Sequence, residues 1–374
     1  MHFAFTDEQL ELRATLRRLL EATCGPADVR AAFLDPSAGD ERWRALAELG
    51  VVGLTAPGEA GGLGLGLCDL APLLEEAGSA ALPEPLAEAA ALVTPLLADI
   101  VPGALGAASG TGKGALPLAS AVATGAIRVA VAPSPADGAP GHPAVCDLVP
   151  HASAADLVVA AVPEPGGAGV EVHAVPAQGH VEPVASLDPT RRLGRVTWEP
   201  ADGDVLLDGD AGRAAWEALA QRAAVATAAQ LVGLADRLVG MGAAYALDRR
   251  QFGRPIGSFQ AVKHLLADAR VALEFARPTV YAAAWALDRS MPEAGLAASV
   301  AKSAAGDAAA TAARTALQVH GAIGYTWECD LHLYLKRVWA LVEAWGPPAR
   351  HRSLLLRRLV DRAGAASSSA GVVP

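Results

Sequence analysis

The chain has 374 residues, with 40 acidic and 30 basic side chains, a formal net charge of −10 and a hydrophobic fraction of 52%. Disorder requires low hydrophobicity with high charge density, so the composition excludes a disordered chain and predicts a large buried core. The acidic balance argues against a nucleic-acid binder and a polybasic membrane-surface protein, since both need a basic face. We therefore expect no nucleic-acid partner and no membrane partner.

The cysteines and the N-terminal segment indicate the compartment. The four cysteines, Cys24, Cys68, Cys146 and Cys329, are scattered, and no two form a Cys-x-x-Cys pair. This spacing predicts neither a disulfide framework nor a metal site. No basic region followed by an apolar core begins the chain, and no apolar run reaches the roughly 20 residues of a membrane span. We therefore expect a soluble, cytoplasmic protein.

The first part of the chain, to about residue 105, has apolar residues at three- and four-residue spacing, which predicts helices. Thr6 and Gln9 have the spacing of a capping box at the start of the first helix. Further helices are expected over residues 41–49, 70–78 and 86–98. The N-terminal helical domain is expected to span residues 1–111.

Between residues 112 and 210 the pattern changes to short β-branched runs separated by turns rich in proline and glycine. Such punctuation is typical of a small antiparallel β domain. The runs expected to form strands are 127–131, 157–161, 170–174 and 195–198.

From residue 211 to 363, long runs rich in alanine and leucine predict a C-terminal helical bundle. Its helices are expected to end near 253–257, 292, 321–324 and 347–348, where glycine or proline interrupts the pattern. Residues 364–374, mostly alanine, serine and glycine, are expected to form a disordered tail. This order of helices, strands and helices does not by itself identify a function.

Two C-terminal stretches carry a more specific pattern. Residues 245–264 read YALDRRQFGRPIGSFQAVKH, and residues 318–326 read QVHGAIGYT. They resemble the two C-terminal signatures of the acyl-CoA dehydrogenase family, and residues 46–53 with 61–66 match its N-terminal part. The resemblance extends to about residue 363. It implies a mainly α fold with an N-terminal helical bundle, a middle β-barrel domain and a C-terminal four-helix bundle.

The resemblance also implies a chemistry. Members of the family are FAD-dependent oxidoreductases that remove hydrogen across the α and β carbons of an acyl-CoA thioester. A base takes the α-proton, the β-hydrogen leaves as hydride to the flavin, and an electron-transfer flavoprotein is the usual acceptor. Members are dimers or dimers of dimers, in which each FAD lies across a subunit interface. The neighbouring subunit holds the adenine and pyrophosphate half through the two C-terminal motifs.

Carried over to this chain, the resemblance implies a set of cofactor-binding residues. The set is Arg249, Gln251, Phe252, Gln260, Gln318 and Gly321. Arg249 is expected to pair with the pyrophosphate, because a guanidinium fork matches phosphate oxygens. Phe252 and Gln260 are expected to line the adenine and ribose path. Gln318 and the small Gly321 are expected to let the backbone approach the cofactor.

The family features that hold a chain's own flavin are missing. The family's β domain carries a Thr-Glu-Pro strand end and a Trp-Ile-Thr strand that hold the flavin ring. The corresponding places here are residues 131–135, VAPSP, and 148–151, LVPH, which supply neither the threonine nor the tryptophan. In particular, Ala132 has no hydroxyl to donate to the ring.

The usual positions of the catalytic base are also changed. Most members have a glutamate before a Gly-Thr near the C-terminus, and Trp345 stands there in this chain. Other members carry the glutamate upstream, at a position that corresponds to Ala223. Neither side chain accepts a proton. Glu343 lies two positions from the usual slot, about 200° away on a helix, and is the candidate for a displaced base.

This combination resembles the heteromeric acyl-CoA dehydrogenases of steroid side-chain degradation, as do residues 186–193 and 331–337. In those complexes one subunit type carries the base and the flavin cradle, and its partner completes the adenine site. Three hypotheses follow. The chain is a subunit of an α2β2-like complex that lends its site to a second acyl-CoA dehydrogenase subunit, a homo-oligomeric enzyme with Glu343 as base, or a catalytically silent scaffold.

Overall fold

The computed structural model describes residues 4–100, 115–137, 142–164, 166–167 and 169–369. The N-terminal helices are α1 (Asp7–Thr23), α2 (Pro26–Leu34), α3 (Asp40–Glu48), α4 (Leu67–Ser79), α5 (Thr94–Ile100) and α6 (Ala115–Ala123). The capping box predicted for α1 is confirmed: the Gln9 N–H donates to Thr6 Oγ1, and the Thr6 N–H donates to Gln9 Oε1. A π-helical turn, Glu88–Val93, leads into α5.

Two N-terminal helices were not expected from the sequence. One is the short helix α2, and the other is α6, which falls in the region assigned to the β domain. α6 packs against α5 and the π-helical turn, so by its contacts it belongs with the N-terminal helices. The expected boundary after residue 111 itself lies outside the described residues.

The middle region contains two sheets. The strands are β1 (Val129–Val131), β2 (Ala144–Val149), β3 (Leu157–Pro163), β4 (Val170–Pro176), β5 (Val181–Pro183), β6 (Gly194–Trp198) and β7 (Val205–Leu207). The strand order is β1-β3-β4-β7 in one sheet and β2-β6-β5 in the other. All four predicted strands are present, but β1 pairs with β3 in parallel, so the domain is not wholly antiparallel as expected.

The C-terminal region is a helical bundle, as predicted. Its helices are α7 (Gly209–Asp248), α8 (Gln260–Asp288), α9 (Ala294–His320), α10 (Leu331–Glu343) and α11 (Pro348–Ser369). α7 to α10 pack on one another, and α11 lies against α9. α7 is long and apolar enough to cross a membrane, but most of its most apolar stretch is buried in the protein.

The end of α11 differs from the expected tail. The helix continues to Ser369, into the segment 364–374 that we expected to be disordered, and residues 370–374 lie outside the described residues. The alanines in this segment are strong helix formers that extend a helix already begun upstream.

The protein has two hydrophobic cores. The larger core extends from the N-terminal helices through the sheet β1-β3-β4-β7 into the C-terminal bundle, and the smaller core lies within the β region. α4 crosses α7 at very short distance, since a Cβ at Gly233 would lie 1.9 Å from the Glu75 carbonyl oxygen. The three regions therefore meet along the inner face of α7, where the cleft described below lies.

Candidate functional site

The first predicted motif folds into a hairpin at the end of α7. The helix ends at Asp248, and two-residue strands β8 (Arg250–Gln251) and β9 (Arg254–Pro255) pair before α8 begins. The turn residues Phe252 and Gly253 have φ values of +53° and +80°. Positive φ at both central residues is the requirement of a type I′ turn, which usually contains Asn-Gly. The motif therefore projects a tight two-residue turn from the end of the bundle.

Phe252 has an unfavourable backbone conformation in that turn. A left-handed backbone costs an aromatic residue about 1–2 kcal/mol. The phenyl ring is 92% exposed, and it makes an edge contact with Phe259 at 6.1 Å. A strained, exposed aromatic side chain gains little from its own chain. This combination points to a contact outside the chain.

The second motif meets the first at the same end of the bundle. The rings of Tyr245 on α7 and His320 on α9 are stacked with their centroids 4.4 Å apart, and the Nδ1 of His320 lies 2.8 Å from the Ala316 carbonyl. Gly321 follows with a φ of +63° and ends α9. A Cβ at Gly321 would meet no atom within 4 Å, so the backbone there is open to an approaching group. The stack joins the two motifs into one surface.

This surface carries polar groups that are free to bind a ligand. The side chains of Arg249, Gln251, Gln260 and Gln318 are exposed. None of the four forms a hydrogen bond or ion pair within the part of the chain that the structure describes. Guanidinium, amide and aromatic groups presented outward fit the phosphate, ribose and adenine parts of a dinucleotide. We call these four residues, together with Phe252 and Gly321, the hairpin surface.

The two expected positions of the base lie together, although they are far apart in sequence. Ala223 on α7 and Trp345 after α10 line one cavity with a volume of about 10 Å³. A space of this size holds about one water molecule. Trp345 has a φ of +57°, so this bulky residue also has a strained backbone. The cleft between the two positions leaves no room for an acyl chain.

A buried ionic cluster closes the cleft from the side of the β region. Arg191 lines the cavity together with Glu88, and its guanidinium lies 3.4 Å from the Glu88 carboxylate and 2.9 Å from the Nε2 of His151. Since a guanidinium only donates, Nε2 of His151 accepts and the imidazole is neutral. Burial, and then the nearby arginines, hold the pKa of His151 well below its usual value.

A second part of this cluster explains two stretches noted in the sequence. Arg337 on α10 donates to Asp188 Oδ2 at 2.5 Å, to the Leu82 carbonyl at 2.7 Å and to Thr190 Oγ1. Residues 186–193 and 331–337 therefore contact each other through the buried hydrogen bonds of Arg337. These bonds connect the N-terminal helices, the β region and the bundle beside the closed cleft.

Glu343, the candidate for a displaced base, and Ala132, at the place of the missing flavin cradle, do not line the cavity. Glu343 is exposed and does not line the cavity. Ala132 is fully buried in the smaller core, and its N–H donates to the Val159 carbonyl at 2.9 Å. Neither the methyl group nor the N–H of Ala132 is therefore free to contact a flavin ring.

The carboxylate that does line the cavity, Glu88, was not predicted from the sequence. Its signal was a single acid within the otherwise apolar start of a predicted helix.

Comparison with known proteins identifies the family of this chain. The acyl-CoA dehydrogenase N-terminal domain matches residues 6–99, and the acyl-CoA dehydrogenase C-terminal domain matches residues 210–360. Acyl-CoA dehydrogenase IpdE2 of Mycobacterium tuberculosis is 36% identical over 356 residues, which cover 94% of this chain and 96% of that protein. The chain belongs to the acyl-CoA dehydrogenase family. Membership makes it an FAD-dependent oxidoreductase of the acyl-CoA dehydrogenase class.

Solved structures share the fold over nearly the whole chain. The ChsE4-ChsE5 complex from Mycobacterium tuberculosis contains a chain with a TM-score of 0.82 and 23% identity, covering 96% of this chain and 99% of that one. A chain of the Tcur3481-Tcur3483 steroid ACAD G363A variant has a TM-score of 0.80 and 27% identity, with the same coverage. The mainly α fold with a central β domain, predicted from the sequence, is confirmed.

Proposed function

We propose that this acyl-CoA dehydrogenase chain is a subunit of a heteromeric complex, in which it lends the FAD adenine and pyrophosphate site to a second subunit. The observation that carries the proposal is the contrast between an open hairpin surface and a cleft closed to about 10 Å³. The partner holds the flavin ring and the base, and it dehydrogenates the acyl-CoA.

The hairpin surface supports the lending role. Arg249 caps α7 in an extended conformation, and its guanidinium has no partner in the described parts of the chain. Its carbonyl accepts the Ile256 N–H at 2.8 Å, which ties the residue to the base of the hairpin. The arginine is therefore positioned by the backbone while its charged group stays free. When bound, FAD supplies the hydride acceptor, and this chain's residues hold its phosphates.

The closed cleft supports the loss of a separate active site. An acyl group must lie beside the base, and here both base positions border a space for about one water molecule. Glu88 lines that space but is held by Arg191 and lies 3.5 Å from His151. The Glu88 carboxylate is therefore engaged in the buried ionic cluster.

The relatives indicate the kind of complex and substrate. Two of the solved structures similar to this chain, ChsE4-ChsE5 and Tcur3481-Tcur3483, are named as pairs of proteins, and the second is named a steroid ACAD. We infer an α2β2-like assembly that acts on the CoA thioester of a bulky side chain in lipid degradation. An electron-transfer flavoprotein is the proposed acceptor, and the cytoplasm is the proposed compartment.

The homo-oligomeric alternative has weaker support. It needs Glu343 as the base, and this side chain is exposed outside the cavity. The scaffold alternative keeps the fold without cofactor contacts. Flavin binding by the chain alone, by the reconstituted complex or by neither distinguishes the three hypotheses.

The direct test is to titrate FAD into the reconstituted complex with Arg249→Ala. A charge-assisted contact of this kind is worth about 1.5–3 kcal/mol, so FAD affinity should fall roughly 10- to 150-fold. Arg249→Lys should be nearly as harmful, because an ammonium keeps the charge but loses the planar fork. Melting of the chain without FAD should not change, since no core cavity is created.

Arg213→Ala is the matched control for this test. Arg213 is a partly exposed arginine in the first turns of the same helix, about 50 Å from Arg249 at 1.5 Å per residue, and its guanidinium pairs with Asp210 at 2.7 Å. It should leave FAD affinity unchanged. Equal FAD affinity in the Arg249→Ala complex and the wild type would overturn the lending role. A stoichiometric flavin in the isolated wild-type chain would favour the homo-oligomeric enzyme instead.

A further inference from the structure

Lys302 is the largest fully buried side chain in the described part of the molecule. It lies on α9 with 0% of its surface exposed. Its Nζ donates to the Val342 carbonyl at 2.8 Å and to the Gly346 carbonyl at 3.0 Å. Among the described residues no carboxylate forms an ion pair with it. Burying an ammonium is costly, so a buried lysine that donates to backbone carbonyls requires a reason.

One carbonyl belongs to the last turn of α10, and the other belongs to the segment that follows this helix. We call residues 344–347, which connect α10 to α11, the Trp345 turn. Trp345 and Gly346 have φ values of +57° and +99°, so the turn takes two successive left-handed residues. The first of them is a tryptophan, which tolerates this conformation poorly. Such a turn persists only when neighbouring groups hold it.

A second basic side chain, His351, holds the same turn. The Nε2 of His351 on α11 lies 3.1 Å from the Trp345 carbonyl, and its Nδ1 lies 3.2 Å from Ser299 Oγ on α9. Because a carbonyl only accepts, Nε2 carries the proton. The carbonyls of residues 342, 345 and 346 are thus all held by Lys302 or His351.

The geometry points to Lys302 as a positioning residue that, together with His351, keeps the indole of Trp345 in the cleft and so keeps the cleft closed. A methionine or leucine would fill the same volume without the cost of a buried charge, but it could not hold the two carbonyls. This inference deepens the proposed function, since it explains how a lending subunit keeps its own cleft shut.

The groups around Lys302 predict a pH signature. Burial lowers the pKa of Lys302 to about 8, and Glu343 on α10 acts in the opposite direction. His351 on α11 is the other titratable group beside it, and burial lowers the pKa of this imidazole from its usual value. No charged group of α7 or α8 shifts the pKa of Lys302 among the residues described. Lys302 is therefore the group beside the Trp345 turn that we expect to lose its charge above neutral pH.

The test is fluorine NMR of the lone chain with its seven tryptophans replaced by 5-fluorotryptophan. Trp345→Phe identifies the Trp345 resonance by its loss. In the wild type this resonance should shift with a midpoint near the Lys302 pKa of about 8. In Lys302→Met it should move, lose this titration and show a larger solvent isotope shift, because the indole leaves the closed cleft.

Lys336→Met is the matched control, since this lysine lies on α10 and its Nζ is 4.7 Å from the Trp327 ring. The Lys336→Met substitution should shift the Trp327 resonance, and the position and pH titration of the Trp345 resonance should stay unchanged. A Trp345 resonance in Lys302→Met with the wild-type position and isotope shift would overturn the proposal. So would a wild-type Trp345 resonance that does not change as the pH is raised from 7 through the ordinary lysine pKa of about 10.4, a result that remains decisive if Lys302→Met fails to fold.

The experiment separates this proposal from the lending role. It uses neither FAD nor a partner subunit, so its failure leaves the Arg249 result standing. Conversely, unchanged FAD affinity in the Arg249→Ala complex would not alter the titration of Trp345.

Discussion

At the scale of single residues, three of the seven described non-glycine residues with positive φ lie in the functional parts of this chain. Phe252, His151 and Trp345 all have positive φ, which is uncommon for residues other than glycine. The three belong to different parts of the site: Phe252 forms the tip of the hairpin surface, His151 joins the ionic cluster, and Trp345 closes the cleft. Neighbouring groups hold the strained backbone at His151 and Trp345, whereas Phe252 is 92% exposed.

Phe252→Asn should separate stability from binding. Asparagine tolerates the left-handed region and suits a type I′ turn before glycine, so the lone chain should gain up to about 1 kcal/mol. The reconstituted complex should lose FAD affinity roughly fivefold or more, as expected for removing an aromatic contact with a base. Urea denaturation of the chain and FAD titration of the complex measure the two effects.

Phe252→Leu completes this comparison. Leucine keeps the backbone strain and loses the ring, so stability should stay at the wild-type level while affinity falls. If Phe252→Asn bound FAD as well as the wild type, the ring would not contact the cofactor.

At the scale of elements, the crossing of α4 and α7 decides how close the N-terminal helices lie to the bundle. Gly78 on α4 and Gly233 on α7 form the contact: a Cβ on Gly78 would lie 2.1 Å from the Gln230 carbonyl oxygen. The carboxylate of the neighbouring Glu75 accepts hydrogen bonds from Arg277 and from Tyr281 Oη, both at 2.5 Å. These bonds connect α4 to α8 as well. Small residues at the crossing allow these ionic contacts to form.

Gly233→Ala should destabilise the chain, because the new methyl group would lie 1.9 Å from the Glu75 carbonyl oxygen. Overpacking against backbone typically costs about 1–3 kcal/mol. Gly240→Ala on the same helix is the control, since its Cβ would meet nothing within 4 Å. It should stabilise the chain by about 0.5–1 kcal/mol, as alanine suits a helix interior. Equal unfolding free energies for the two variants, measured in urea, would contradict the close crossing.

At the scale of the whole molecule, the buried cluster around Arg191 and Arg337 joins all three regions. Asp188 and His151 come from the β region, Glu88 from the N-terminal helices and Arg337 from the bundle. Burial raises the pKa of the Asp188 carboxyl, but Arg337 and Thr190 more than compensate and the net shift is downward. The cluster therefore contains paired charges together with a neutral imidazole.

This neutral imidazole predicts acid sensitivity. Burial holds the pKa of His151 well below 6.5 in the folded chain, so below pH 6.5 the unfolded chain binds more protons. Stability is then full above about pH 6.5 and falls as the pH drops further. Between pH 7.5 and pH 5.5 the contribution of His151 to the loss is about 1.4 kcal/mol.

His151→Asn should remove that contribution, since asparagine does not titrate and suits a left-handed backbone. Its loss of stability between the two pH values should be smaller than that of the wild type by the same amount. His264→Asn, at an exposed position on α8, should retain the wild-type difference. Urea unfolding at both pH values measures this, and an unchanged difference in His151→Asn would contradict the assignment of a neutral His151.

The sequence by itself determined the features that depend on local interactions. The cap at Thr6 and Gln9, the four predicted strands, and the helix ends near residues 253, 292, 321 and 347 all follow from neighbouring side chains and from glycine or proline. The motif 245–264 likewise predicted its own turn. The family followed from the spacing of these motifs, while the roles of the cofactor-binding residues stay a prediction.

Only the tertiary structure decided what lies between distant segments. It placed Ala223 beside Trp345, Glu88 beside Arg191 and Arg337 beside Asp188. Such contacts depend on how every intervening helix and strand packs, and no local pattern encodes that packing. For the same reason Glu88 was overlooked and Glu343 was considered, since residue type was visible but burial was not. The closed cleft is therefore a property of the packed chain, produced by side chains that are unremarkable in sequence.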